Sequence, residues 1–206
     1  MIDGLFGRHT RGLWERLARV LVWMGCSPNA VTLAGLFLVV ISSLAYVWHG
    51  NSLVFGLCLA FALTTDGLDG AVARLTNRSS RFGGYLDAVV DRYQEVIIFG
   101  TLAFVHDCWP QAFVAITGAM LTSYNKARTA LEIEIDNNDW PDLIERLERM
   151  LLLIALLLVE GFFDHPRWAI VPLGILGLGL LSHLTAVQRF LRARQRILAA
   201  DQQDRD

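Results

Sequence analysis

The apolar residues of this chain fall in long blocks, and that clustering constrains the fold more than any other feature. The first block, residues 30–48, contains LAGLFLVVISSLAYVW. A helix needs about 20 consecutive apolar residues to cross the hydrocarbon core of a bilayer, and only helices and closed barrels satisfy their own backbone there. Five further blocks follow at residues 53–74, 82–105, 112–131, 150–163 and 168–190. The fifth is short unless it begins a turn earlier. Polar or proline-containing turns separate several of them: His49-Gly50-Asn51, residues 107–110, and Asp164-His165-Pro166.

Composition agrees. Of the 206 residues 54% are hydrophobic and 18% charged, with a net charge of -2, whereas a soluble domain carries about 25% charge. A soluble globular domain, a disordered chain and a nucleic-acid binder are all disfavoured. The expected fold is therefore all-α: six transmembrane helices, preceded by an amphipathic helix lying in the interface. Residues 10–24 put Leu13, Leu17, Val20, Leu21 and Met24 on one helical face and Arg11, Glu15, Arg16 and Arg19 on the rest. Pro28 separates this segment from the first span. The expected organisation is an interfacial segment (1–27), a six-helix catalytic domain (28–192) and a polar tail (193–206).

The basic residues set the orientation. Arg8, Arg11, Arg16 and Arg19 precede the first span; Arg74, Arg78 and Arg81 follow the second; Lys126, Arg128, Arg146 and Arg149 follow the fourth; five arginines follow position 188. The opposite loops hold only Arg167. Positive charge stays inside, so both termini, and any site at that end of the bundle, are expected on the cytoplasmic side. Cys26, Cys58 and Cys108 form no CxxC pair and read as small hydrophobes.

Charges inside a membrane span are costly and mark function. The second and third spans hold four aspartates in the stretch DGLDGAVARLTNRSSRFGGYLDAVVD. Asp66 and Asp69 are three apart, Asp87 and Asp91 four apart, so each pair shares a helical face. A short polar loop, residues 75–81, makes the two helices antiparallel neighbours. Four carboxylates so close need cations, and all-oxygen ligation suits Mg²⁺ or Mn²⁺. Two such ions suit transfer chemistry on a diphosphate. The alternative is a salt-bridge network of these aspartates with Arg74 and Arg92.

The spacing Asp66-x2-Asp69-Gly70-x2-Ala73-Arg74-x8-Gly83-x3-Asp87-x3-Asp91 is similar at all eight positions to the signature of the CDP-alcohol phosphatidyltransferases. That resemblance implies attack of an alcohol on a CDP-lipid with release of CMP. It implies that Asp66, Asp69, Asp87 and Asp91 hold two Mg²⁺ ions (Mn²⁺ as a substitute), with Asp91 also the general base. It further implies contacts to the CDP-lipid from Asn29, Thr32, Gly70, Ala73, Arg74, Ser80 and Gly83, and a homodimer in the membrane.

On the acceptor side, Ser123-Tyr124-x-Lys126-Ala127-Arg128, the segment Ile144 to Arg149, and Gln188-Arg189 resemble members that make phosphatidylinositol phosphate. Lys126, Arg146, Arg149 and Arg189 would then supply cations for a small phosphorylated alcohol. Inositol phosphate is favoured and glycerol 3-phosphate is the alternative. An acidic stretch (Glu132, Glu134, Asp136, Asp139, Asp142) departs from those members; it would either repel an anionic acceptor or form a solvated loop, and the loop is expected. Two other classes compete. A prenyltransferase would carry two separated Asp-rich motifs; a cation transporter would not need the Gly-x2-Ala-Arg segment between the aspartate pairs.

Overall fold

The computed structural model describes residues 2–135, 142–163 and 170–203. Among these every regular element is a helix: α1 (Ile2–Trp23), α2 (Pro28–His49), α3 (Ser52–Leu75), α4 (Arg81–His106), α5 (Trp109–Thr129), α6 (Arg146–Phe163) and α7 (Ile170–Gln203). The chain divides into two compact units, residues 1–101 and 102–206, with the boundary inside α4.

In the first unit the helix ends are written in the sequence. α1 stops at Gly25, whose φ of 77° is left-handed. Ser27 then caps α2 by accepting from the Ala30 amide at 3.3 Å, with Pro28 in the first turn where its missing N–H costs nothing. Gly50, at φ 64°, closes α2, and Asn51 caps α3 by accepting from the Val54 amide at 3.0 Å. Ser80 caps α4 in the same way, its hydroxyl accepting from Gly83 N–H at 3.0 Å.

The buried stripe of α2 runs Val31, Thr32, Gly35, Val39, Ser43, Tyr46 and packs along α3. At one end the Tyr46 ring stacks on Phe55, with centroids 4.4 Å apart. At Gly35 the helices are closest: a Cβ there would collide with the Thr65 hydroxyl and lie 3.4 Å from the Gln94 amide. α1 also lies on α3, through Ala18, Trp14, Leu21 and Val22 against Ala71, Val72 and Leu68. Leu17, Val20 and Met24 point outward, so apolar side chains of α1 face two directions.

In the second unit α7 packs on both α5 and α6. Gly118 and Gly179 let α5 and α7 approach: a Cβ on Gly179 would meet the Ala115 amide nitrogen at 2.8 Å. Hydrogen bonds lace the same pair, from Thr122 Oγ1 to the Ser182 carbonyl (3.0 Å) and from Asn125 Nδ2 to the Ala186 carbonyl (2.9 Å). α6 begins where Glu148 reaches back to accept from the Glu145 amide at 3.1 Å, half of a capping box.

α2, α3 and α7 are long and apolar enough to cross a membrane. The outward faces of α2, at Leu33, Phe37, Ile41 and Leu44, are large and apolar, as lipid contact requires. The chain is an integral membrane protein. α4, α5 and α6 fall short of that standard by composition, for a physical reason. α4 carries Asp87, Asp91, Arg92 and Glu95, α5 ends in Lys126 and Arg128, and α6 begins Arg-Leu-Glu-Arg. The three cysteines are free thiols, Cys108 buried and the others half-buried.

Candidate active site

The first unit contains a cavity of about 240 Å³ walled by the start of α2, the C-terminal half of α3, the loop after it and the start of α4. Eight of the residues expected from sequence line it: Asn29, Thr32, Asp69, Gly70, Ala73, Ser80, Gly83 and Asp87. The local fold explains the gathering. Pro28 and Ser27 fix where α2 begins, which sets Asn29 at the rim and Thr32 one turn deeper. Asn77, in the left-handed region at φ 53°, turns the chain from α3 into α4. Gly83 leaves room at the wall, since a Cβ there would lie 3.2 Å from Ser80 Oγ and 3.4 Å from Asn29 Oδ1.

Asp69 is the most buried of the four aspartates. Thr32 donates its hydroxyl proton to Asp69 Oδ2 at 2.6 Å, and the Gly70 amide donates to Oδ1 at 2.5 Å. The charges of Asp87 and Asp66 act on the Asp69 carboxylate across and along the helices. Asp69 and Asp87 line the cavity together; Asp66 does not. Asp91, one turn beyond Asp87, does not line the cavity. It lies beside Arg92, Oδ2 to Nη2 at 3.7 Å, and the same guanidinium binds the buried Glu95 carboxylate at 2.8 Å. Arg74 is also off the wall; its Nη1 lies over Gly70, 3.3 Å from where a Cβ would stand.

Among the described residues no three carboxylate, imidazole or thiolate groups close on one point as a metal shell does. The donor chemistry nonetheless fits a hard divalent cation. It is all oxygen, and Asp69 and Asp87 bring it to one cavity from two helices.

The basic residues expected to meet the acceptor lie in the second unit. Arg189 is buried; Nε donates to Asp142 Oδ1 at 2.9 Å, Nη2 to Oδ2, and Nη1 to the Thr122 carbonyl at 2.6 Å. Arg149 is buried with Nη1 3.4 Å from Ser182 Oγ. Arg146 and Lys126 are half-buried. Burial, with the hydrogen bond and charge of Asp142, pushes the Glu145 carboxyl above its ordinary range, and Lys126 pulls the other way. The acidic stretch is thus not simply solvated: Asp142 has no side-chain exposure, while Glu132 makes an exposed pair with Arg128. Asp136 and Asp139 lie outside the described residues.

Three residues escaped the sequence reading. Arg78 lines the cavity, and its only signal was membership of the Arg74-Arg78-Arg81 run. Glu95 and Asp142 are buried partners of arginines, and no spacing announced either.

The CDP-alcohol phosphatidyltransferase family model matches residues 26–181, which contain the whole cavity. The chain belongs to this family. As a CDP-alcohol phosphatidyltransferase it is an enzyme, a membrane transferase of phospholipid synthesis. Among its relatives is the archaetidylinositol phosphate synthase of Pyrococcus horikoshii, 29% identical over 89% of this chain and 92% of the relative. Among solved structures it is similar to the Mycobacterium tuberculosis phosphatidylinositol phosphate synthase with CDP-DAG bound. That likeness has a TM-score of 0.74 at 28% identity, covering 87% of this chain and 92% of that one. The same mycobacterial enzyme in complex with manganese and citrate gives a TM-score of 0.77 at 27% identity, covering 87% and 88%. Membership of this family, which uses divalent metals, sets aside the transporter and prenyltransferase readings.

Proposed function

We propose that this phosphatidyltransferase moves the phosphatidyl group of a CDP-diacylglycerol-type lipid to the hydroxyl of a small phosphorylated alcohol, releasing CMP. The observation that carries the reading is the cavity lined by Asn29, Thr32, Asp69, Gly70, Ala73, Ser80, Gly83 and Asp87. Its small residues admit a flat nucleotide, its hydroxyls and amide offer hydrogen bonds, and Arg78 adds a cation for phosphate. Arg74, over Gly70, is a second.

Asp66, Asp69, Asp87 and Asp91 are the proposed holders of two Mg²⁺ ions, with Mn²⁺ as a substitute. Bound there, such ions supply neutralisation of the diphosphate. The remaining work belongs to the protein. Thr32 and the Gly70 amide hold the Asp69 carboxylate in one orientation. Asp91 accepts the proton of the attacking hydroxyl as the new P–O bond forms and the bond to CMP breaks. Arg92, tied to Glu95, sits beside that carboxylate.

Lys126, Arg146, Arg149 and Arg189 are proposed to receive the phosphate of the acceptor. Inositol phosphate is favoured because both kinds of relative named above carry inositol phosphate in their names; glycerol 3-phosphate is the second candidate. In the membrane, α2 to α7 are proposed as six spans within residues 28–192, with α1 in the interface (1–27) and residues 193–206 beyond it. Both termini and the cavity face the cytoplasm, and the enzyme is a homodimer. The test is CMP release by purified protein with Mg²⁺, CDP-diacylglycerol and one acceptor at a time: inositol 1-phosphate, glycerol 3-phosphate, free inositol, serine. Release with a phosphorylated alcohol alone supports the reading. Release with free inositol or serine alone removes the basic residues from the acceptor's path.

A further inference from the structure

In the second unit one carboxylate occupies the place an anionic ligand would need. Asp142, with no side-chain exposure, takes both the Nε and the Nη2 protons of Arg189. That edge of a guanidinium is the one that grips a phosphate with two parallel hydrogen bonds. The third direction is spent on the Thr122 carbonyl, with Nη1 at 2.6 Å. A second cation, Arg192 Nη1, stands 3.8 Å from Asp142 Oδ1. The anion-gripping edge of Arg189 is thus met by an anion supplied by the chain itself.

The carboxylate has acidic neighbours. Asp142 lies outside any helix, four residues before α6 begins at Arg146. Next to it, the Leu143 amide donates to Gln188 Oε1 at 3.2 Å. The carboxyls of Glu145 and Glu148 belong to the same acidic group, and the charges of Asp142 and Glu148 both oppose ionisation of Glu145. An anion in Asp142's place would meet two cations, Arg189 and Arg192.

We propose that Asp142 is a specificity-determining residue, an internal competitor that must leave Arg189 before the phosphate of the acceptor can bind. This rests on the reading of Arg189 as an acceptor cation. A phosphate monoester carries close to two charges at neutral pH and displaces a single carboxylate; an uncharged alcohol does not. The acidic residue thereby filters for phosphorylated acceptors. A site open a tenth of the time binds its ligand about tenfold more weakly than one always open.

The experiment uses wild-type full-length protein in a neutral detergent free of anionic lipid, so that the only phosphate monoester comes from solution. Amide hydrogen exchange of residues 142–145 is followed without ligand, with inositol 1-phosphate and with free inositol. Turnover is measured on a second portion of the same preparation, supplied with Mg²⁺, CDP-diacylglycerol and either inositol 1-phosphate or glycerol 3-phosphate. The inference expects faster exchange at Leu143 with inositol 1-phosphate and no change with inositol. Turnover without that acceleration overturns the displacement and leaves the acceptor reading standing. No turnover with inositol 1-phosphate or glycerol 3-phosphate overturns the acceptor reading, and the inference with it. Asp142→Asn gives a second readout: KM for the phosphorylated acceptor falls about tenfold, and a rise in KM overturns the proposal. Should that variant not fold, the wild-type exchange experiment decides alone.

Discussion

Gly179 and Gly177 lie two positions apart on α7 and should respond to the same substitution with opposite signs. A Cβ on Gly179 would stand 2.8 Å from Ala115 N, 3.0 Å from Ala115 Cα and 3.0 Å from the Val114 carbonyl carbon. Non-bonded carbons are comfortable at about 3.5–4.0 Å, so the contact is short by several tenths of an ångström. The obstacle is backbone, which cannot rotate away. Nor can α5 retreat without stretching the bonds from Thr122 to Ser182 (3.0 Å) and from Asn125 to Ala186 (2.9 Å). Overpacking of this kind costs about 1–3 kcal/mol, against a gain of about 0.5–1 kcal/mol for alanine over glycine inside a helix. At Gly177 nothing lies within 4 Å of the new methyl, so only the gain applies. G179A should therefore be less stable than G177A by about 1–3 kcal/mol. At about 2–4 °C per kcal/mol for a chain of this size, their melting temperatures separate by several degrees. Thermal unfolding of the two variants and the wild type in one mild detergent, followed by tryptophan fluorescence, measures this. If G179A melts with or above G177A, the close approach of α5 and α7 is wrong.

Other substitutions test the cavity and the acidic group. Thr32→Val removes the hydroxyl that donates to Asp69 at 2.6 Å. A hydrogen bond to a charged group is worth about 1.5–3 kcal/mol, so the metal concentration for half-maximal activity should rise at least tenfold; an unchanged metal titration refutes the role. Gly83→Leu puts a branched side chain against Ser80 and Asn29 and should abolish binding of CDP-lipid while the protein stays folded, as read by isothermal titration. Glu145 is held above its ordinary value of 4.5 by burial first and by Asp142 next. A raised carboxyl pKa makes the folded state bind more protons than the unfolded one. Its stabilising share is complete below pH 4.5 and is lost as pH rises through the folded value. Relative to Glu145→Gln, wild type should lose melting temperature on going from acid to neutral pH; parallel curves would refute the assignment.

The sequence reading located the helices better than it located their ends. The block at 53–74 is α3, Ser52–Leu75, and the block at 82–105 is α4, Arg81–His106, because Asn51 and Ser80 supply caps where apolar residues begin. The block at 168–190 is α7, which continues to Gln203. Apolar character stops near Phe190, but the following arginine, glutamine, leucine and alanine residues are strong helix formers with no breaker among them. α1 likewise starts at Ile2, earlier than the amphipathic pattern suggested.

At the site, Asp69 on α3 and Asp87 on α4 line one cavity; the spacing of three and four spoke only to the face each shares with its paired aspartate on the same helix. Arg78, Glu95 and Asp142 were not legible. Arg78 enters the cavity only because Asn77 turns the loop. Asp142 meets Arg189 across 47 positions of sequence. No local pattern encodes such a contact.

The central claim is that aspartates of α3 and α4, with divalent metal, transfer a phosphatidyl group and leave CMP. The most direct test is CMP release by the purified enzyme with CDP-diacylglycerol and a phosphorylated acceptor, comparing wild type with Asp91→Asn, each with Mg²⁺, with Mn²⁺ and with excess chelator. The account predicts release by the wild type with either ion, none with chelator, and loss of at least about a hundredfold in Asp91→Asn with its fold intact. Release that survives chelation, or an Asp91→Asn variant as fast as the wild type, would contradict it.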